Sequence, residues 1–405
     1  MKYVCITIAG SVDSGKSTLV GTLYTNKLDD GNGLIRDKVC KHKHEYKSGR
    51  TSDISVRVLK QENKIIELVD LCGHFKYLKT TLFGITGYFP DYSIITIAAN
   101  RGILPMTKEH LGILLYLKIP IIIIITKIDI TPTNIFNETL LNINKIINRS
   151  VFKKKIINFD VNKTKDILKY STIINMNSKY IPIITISNKT GYNLDITKKF
   201  ILSLEPRIKW EKIKEGSVFY IESKFTPPGV GLILYGILNG KKINVGDKIF
   251  IGPKNKDYIK ATIWSMHDCN RNSIKYMEHG QRGCIALRIN KKNILLKKNI
   301  RKGMVIISDL YLTKNTCFEF EANINILKHS TTITNNYTPV IHCGIVKQAA
   351  KIELINDKKI RTGDYACVKF KFLRNPEFLI ENSTFFFREG KTRGVGIIKK
   401  IYSIL

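Results

Sequence analysis

Through the first half of the chain, apolar residues gather in short unbroken runs separated by segments with helical spacing. Tyr3 to Ala9, Lys64 to Asp70, Ser93 to Asn100, Ile119 to Thr126 and Ile181 to Ser187 read as strands, and Lys16 to Tyr24 as the opening of a helix. Strands that are apolar throughout, rather than alternating, belong to a parallel-rich sheet covered by helices on both faces. The stretch from Asn148 to Tyr180 is polar and lysine-rich, and is expected to be an insertion within this first domain. PRIKWEKIKEG, Pro206 to Gly216, has the composition of a linker.

Beyond the linker the pattern changes. Strand-like runs shorten and alternate, and turn clusters recur: PPGVG (227–231), NGKKINVGD (239–247), EHGQRG (278–283) and KNIRKGM (298–304). Short strands between glycine turns predict an antiparallel barrel. A second such block runs from Tyr311 to Leu405, with turns at NDKKIRTGD (356–364) and REGKTRGVG (388–396). The expected layout is an α/β domain over 1–205, a linker over 206–216, and two all-β barrel domains over 217–310 and 311–405.

Composition narrows the function. At 405 residues, with 43% hydrophobic and 24% charged residues, the chain is an ordinary globular protein and not a disordered or disulfide-stapled one. Its charge is unusual: 66 Lys and Arg against 33 Asp and Glu leave +33. Such a charge attracts polyanions and speeds their encounter. The chain is also rich in Ile and Asn, which share A/T-rich codons with Lys, so the charge supports a nucleic-acid partner without proving one. No run approaches the roughly 20 apolar residues of a membrane span. The opening MKYVCITIAG mimics a short signal peptide, but Gly10 breaks its apolar run. Eight cysteines are scattered without a CxxC pair, as expected of a reducing, cytoplasmic compartment.

Gly10-Ser11-Val12-Asp13-Ser14-Gly15-Lys16-Ser17 has the G-x-x-x-x-G-K-[ST] form, between a strand and a helix. The glycines let backbone N–H groups wrap phosphates, Lys16 neutralises the β and γ oxygens, and Ser17 ligates Mg²⁺. Ser14 and Thr18 flank the same cradle, at a helix N-terminus that favours anions. Asp70-Leu71-Cys72-Gly73-His74 ends the next strand. Asp70 is suited to hold Mg²⁺ through water, and Gly73 lets its N–H reach the γ-phosphate. Thr126-Lys127-Ile128-Asp129 ends the polyisoleucine strand. Asp129 can accept two hydrogen bonds from a guanine edge, a pair adenine does not offer, which favours GTP over ATP. Ser187-Asn188 ends the last strand, where a backbone N–H would meet guanine O6. All four motifs fall at the carboxyl ends of strands, where open α/β sheets bind ligands.

On these motifs the chain resembles the translational GTPases of the elongation factor Tu and elongation factor 1-alpha superfamily, and within it the GTP-binding protein 1 and 2 group. The pieces that carry the resemblance are LDDGNGLIRDKVCKHKHEYKSGRTSDIS, DLCGHFKYLKTTLFGITGYFPDY, GILPMTKEHLGI, TKIDITPTNIFNETL, PPGVG, HCGIVKQAA and FREGKTRGVG. It covers nearly the whole chain, which looks like a version trimmed of that group's N-terminal extension. The resemblance implies a P-loop GTPase domain followed by two barrels. It also implies GTP hydrolysis to GDP and phosphate, Mg²⁺, and the ribosome and tRNA or other RNA as partners of a monomer that uses no membrane. Thr51 matches the switch threonine that joins Ser17 on the metal. Asp13 matches the residue that helps hold a monovalent cation. His74 matches the histidine that orients the attacking water. Arg388, Lys391 and Thr392 match the stretch that approaches the acceptor stem of tRNA.

Three positions depart from the elongation-factor pattern: Ser11, Arg50 before the switch threonine, and Thr126 in place of Asn. Thr126 keeps a hydroxyl, so nucleotide binding is expected to survive. A guanidinium at Arg50 invites the role of a cis arginine finger, against a plain salt bridge with Glu45 or a solvated side chain. Cys40, His42 and His44 are too tightly spaced for a usual structural zinc site. Three functional readings remain at this level: delivery of aminoacyl-tRNA, ribosome rescue or RNA surveillance, and a nucleotide-gated RNA-binding module with negligible hydrolysis. A GTPase subunit of sulfate activation is a remoter alternative.

Overall fold

The apolar runs that lack alternation lie in the centre of a seven-stranded sheet. The computed structural model describes residues 2–404 except 41, 43–44, 47–50, 149–153, 159–165, 177–178, 208–212, 214, 228–230, 256, 270, 290–298, 355–358 and 391, together with the side chains of 158, 166–169 and 176. The chain divides into two units, Met1–Arg207 and Ile208–Leu405. In the first, the strands are β1 (Lys2–Gly10), β2 (Ser55–Gln61), β3 (Lys64–Asp70), β4 (Tyr92–Ala98), β5 (Ile121–Thr126), β6 (Lys155–Asn158) and β7 (Tyr180–Thr185), in the order β2-β3-β1-β4-β5-β7-β6. β2 pairs antiparallel with β3, and the other pairings are parallel. Every residue of β3, β4 and β5 is buried, as helices on both faces require.

The helices are α1 (Lys16–Thr25), α2 (Leu34–Asp37), α3 (Leu78–Gly87), α4 (Pro105–Tyr116), α5 (Thr133–Asn148), α6 (Asp166–Met176) and α7 (Leu194–Ser203). β1 runs between β3 and β4, so the chain leaves it toward one edge and returns on the other side. This reversal opens a crevice at the carboxyl end of β1, where the first glycine motif lies.

Three elements differ from the sequence expectation. The segment read as a polar insertion contains β6, which extends the sheet by pairing with β7, and α6. Ile174 of α6 is fully buried in the same core as Ile94, Ile124 and Phe200. Lysines flank the few apolar residues here and mask their period. β2, absent from the sequence reading, is a half-buried edge strand.

The second unit holds two closed barrels. The first is built from β8 (Ser217–Phe225), β9 (Leu232–Gly240), β11 (Lys248–Lys254), β12 (Asp257–Asp268), β15 (Arg282–Ile289) and β16 (Val305–Ile307). They run in the order β11-β16-β8-β9-β15-β12, and β12 closes onto β11. β10 (Ile243–Asn244) and β14 (Tyr276–Met277) form a short ribbon, and β13 (Ser273–Ile274) adds to β12. In the second barrel, β17 (Thr316–Lys328), β18 (Val340–Cys343), β19 (Val346–Leu354), β20 (Tyr365–Phe372), β22 (Thr384–Glu389) and β23 (Thr392–Ser403) close through β17 and β20. β21 (Glu377–Phe378) pairs with the start of β17.

The strands here are not uniformly short. β12, β17 and β23 span 12, 13 and 12 residues. Register shifts interrupt β12 and the β17–β23 pair. Such bulges bend and coil a long strand, which closure of a small barrel demands. The second barrel's core stacks Phe320 on Phe370 at 5.2 Å, with Phe385 edge-on to both. The architecture is therefore a parallel-rich α/β domain followed by two six-stranded barrels, as expected. No described helix is long and apolar enough to cross a membrane. The eight cysteines form no disulfide.

Candidate functional site

The loop between β1 and α1 is braced from several sides. Gly15 begins α1 with φ +82, a conformation that favours glycine. Ser14 Oγ donates to Ser11 O at 2.8 Å and lies 2.7 Å from Thr96 Oγ1. From α4, Thr107 Oγ1 lies 2.7 Å from Ser11 Oγ, and His110 Nδ1 accepts from Gly10 N at 3.2 Å. Burial, with Lys16 nearby, pushes His110 down to about 3, so its ring is neutral. Lys16 Nζ donates to Ser11 O at 2.7 Å. Burial lowers the pKa of Lys16, and the Asp70 charge opposes that shift.

Three separate segments meet at Ser17. Its hydroxyl donates to Asp70 Oδ2 at 2.6 Å and lies 3.0 Å from Thr51 Oγ1. Asp70 is fully buried, and burial pushes its carboxyl up to about 6 against the pull of Lys16 and Ser17. Its second oxygen, Oδ1, is buried without a hydrogen-bond partner. Two hydroxyls and a carboxylate with a spare lone pair form the oxygen set that a hard divalent cation takes. These residues fit Mg²⁺. Among the described residues no group of three or more His, Cys, Asp or Glu is placed to hold a metal, and His44, which the Cys40, His42 and His44 grouping needs, lies outside them.

After β3 the chain passes close over the lysine. A Cβ on Gly73 would meet Lys16 Nζ at 2.5 Å and the Ser11 backbone at 2.7 Å, so only glycine fits. His74 caps the following turn, its Nδ1 accepting from Lys76 N at 3.1 Å. That bond fixes the neutral tautomer with hydrogen on Nε2. Val12, Asp13, Lys16, Ser17, Thr51 and His74 line one pocket of about 210 Å³, together with Gly15, Thr18, Gly73 and Lys127.

The base motifs connect to the same frame. Thr126 Oγ1 donates to Ser14 O at 2.9 Å, joining the β5 loop to the phosphate loop. Asp129 is exposed on the turn Ile128–Ile130. Ser187 Oγ accepts from Lys189 N and Thr190 N. Asn188 Oδ1 accepts from Thr22 Oγ1, and its carbonyl accepts from Asp29 N.

These are the features of a GTP-binding site, and comparison with known proteins agrees. The elongation factor Tu GTP binding domain model matches residues 1–227, and the elongation factor Tu C-terminal domain model matches residues 313–402. The chain belongs to the elongation factor Tu family of GTPases. It is 37% identical to GTP-binding protein 1 of Xenopus laevis over 98% of its own length and 63% of that protein's. It therefore spans less than two thirds of that relative. It is 33% identical to human GTP-binding protein 2, over 98% of this chain and 69% of that one. The translation elongation factor SelB of Methanococcus maripaludis, solved with the GTP analogue GppNHp, shares the fold with TM-score 0.73 and 21% identity, over all of this chain and 80% of that one.

The sequence reading of this GTPase missed part of the pocket wall. Asp29, Gly31, Asn32, Gly33 and Arg36 also line it. Asp30 Oδ1 accepts from Asn32, Gly33 and Leu34 N, which starts α2 and carries Arg36 to the pocket. The Asp-Asp-Gly-Asn-Gly run was the available signal: two glycines and a turn-forming Asp between helices mark a tight loop. Arg50 and Lys391 lie outside the described residues. Glu45 accepts from Ser52 N, Ser52 Oγ, Asp53 N and His42 N. Thr392 is buried on β23 with its hydroxyl 2.6 Å from His329 Nδ1, and Arg388 Nε donates to Gly390 O.

Proposed function

We propose that this GTPase hydrolyses GTP to GDP and phosphate in a Mg²⁺-dependent switch cycle, with the ribosome and RNA as its effectors. The observation that carries the reading is the meeting of Ser17, Thr51 and Asp70 beside Lys16. Ser17 and Thr51 would hold the metal directly and Asp70 through water, and the bound Mg²⁺ would offset charge on the β and γ oxygens. Thr51 then senses the γ-phosphate, and its loop is released when that phosphate leaves. Lys16 and the backbone of Gly73 position the phosphates. His74, with hydrogen on Nε2 and a free lone pair absent from that atom, orients water by donating to it. Asp129 selects guanine, and Thr126 holds the base loop against Ser14.

The family, named for an elongation factor at both ends of the chain, supports translation as the setting, and the +33 charge suits an RNA surface. The test is GTP hydrolysis by wild type and His74→Ala, with and without purified ribosomes. Ribosome stimulation that disappears in the variant is the expected result. Hydrolysis indifferent to ribosomes would overturn the effector assignment. A translational effect that persists in His74→Ala would instead mark a nucleotide-gated binding module. Preference for stalled over elongating ribosomes would distinguish rescue from delivery of charged tRNA.

A further inference from the structure

Asp13 places a carboxylate in the wall of a pocket suited to a triphosphate. Its backbone is left-handed, at φ +59, within the tight loop. An uncompensated carboxylate there would repel the phosphates. The resemblance to elongation factors implies that a monovalent cation answers that charge. In this chain the position is already answered: Arg101 Nη1 lies 3.4 Å from Asp13 Oδ2. A diffusible cation and this guanidinium would compete for the same carboxylate charge, so the residues present do not fit the ion.

Arg101 is set in place independently of that pair. It sits in the turn that follows β4. Arg101 N and Gly102 N both donate to Ala98 O at 3.0 Å, and Ala99 N donates to Thr126 O at 2.9 Å. Thr139 Oγ1 from α5 donates to Ala99 O at 3.1 Å. Gly102, at φ +63, lets the turn reverse. The turn is thus tied to the base-motif strand and to α5.

We infer that Arg101 is a tethered substitute for the monovalent cation, so that nucleotide binding and hydrolysis by this chain need neither potassium nor sodium. The inference rests on the GTP reading above. Both side chains are about half exposed, at 52% and 49%, so the pair adds little to folding stability. Its effect falls on the bound polyanion. A guanidinium stays charged at every working pH and cannot diffuse away, whereas an ion must be drawn from solution. Arg101 is a positioning residue, acting on the phosphates through Asp13.

The test compares the affinity of a non-hydrolysable GTP analogue, and single-turnover GTP hydrolysis, in potassium, sodium and choline chloride at equal ionic strength. Choline is too bulky to enter the site. Wild type is expected to behave alike in all three salts. Arg101→Ala is expected to lose about tenfold in choline and recover in potassium, while Arg101→Lys stays indifferent to the salt. A wild type that needs potassium would overturn the inference. So would an Arg101→Ala that is unaffected, or equally impaired, in all three. If wild type binds no GTP in any salt, the GTP reading itself falls and takes this inference with it.

Discussion

Thr126 shows how a departure from a family pattern can keep its physics. Its hydroxyl donates to Ser14 O in a fully buried setting, a link that a β-branched side chain can make without the amide of Asn. Thr126→Val preserves the shape and removes the donor, leaving a buried carbonyl unpaired at a cost of about 1–3 kcal/mol. GTP affinity should fall roughly tenfold, as measured by equilibrium titration, and a value within about twofold of wild type would refute the link. The candidate residues of the four glycine, aspartate, lysine and serine motifs were legible as a set because the chemistry proposed for them fixes their spacing within one segment. Arg36 had a local signal, the turn that Asp30 caps six residues before it. Arg101 had none, because it gains its place from a distant segment: it meets Asp13 only where the loops after the neighbouring strands β1 and β4 come together. Sequence spacing carries no record of such pairings.

At the scale of elements, the parallel strands announced themselves by unbroken apolar runs, while β6 and α6 did not. In β6 two isoleucines stand between Lys155 and Asn158, too few to set a period. α6 nevertheless carries Ile174 into the main core, and Tyr92 Oη donates to its Asn175. Ile174→Ala should therefore cost about 2–5 kcal/mol, as a buried isoleucine truncated to alanine does. Denaturant unfolding followed by a probe in the α/β domain measures this. A change below about 0.5 kcal/mol, the usual size of a surface substitution, would mean that the segment is an appendage after all.

For the whole molecule, alternation and glycine turns foretold two barrels, but not how polar residues hold them. Arg282 and Glu222 are paired at 3.0 Å with almost no exposure, inside the first barrel's wall. Arg301, between β15 and β16, reaches the buried Glu377 beside β17 at 3.1 Å, and Gln348 Nε2 donates to the same carboxylate at 2.7 Å. Burial pushes Glu377 up to about 7 from its ordinary 4.5, against the pull of Arg301. Between those values the folded chain keeps a proton that the unfolded chain has released. The folded state binds more protons there, so this group makes the barrel unit less stable as pH rises through the window, and no further above it. Glu377→Gln should remove that slope. Melting curves of wild type and variant from about pH 5 to 8 should diverge toward high pH, the variant gaining about 1–3 kcal/mol. Parallel curves would show that Glu377 ionises without cost.

The proposed magnesium-dependent guanine nucleotide switch rests on the convergence of Ser17, Thr51 and Asp70. Equilibrium titration of the purified chain with fluorescent GTP, GDP and ATP analogues, in magnesium and in EDTA, addresses it most directly. The predicted result is strong selection of guanine over adenine nucleotides, with GTP binding weakened at least about tenfold when magnesium is removed. ATP binding as tightly as GTP, or affinity untouched by EDTA, would contradict it.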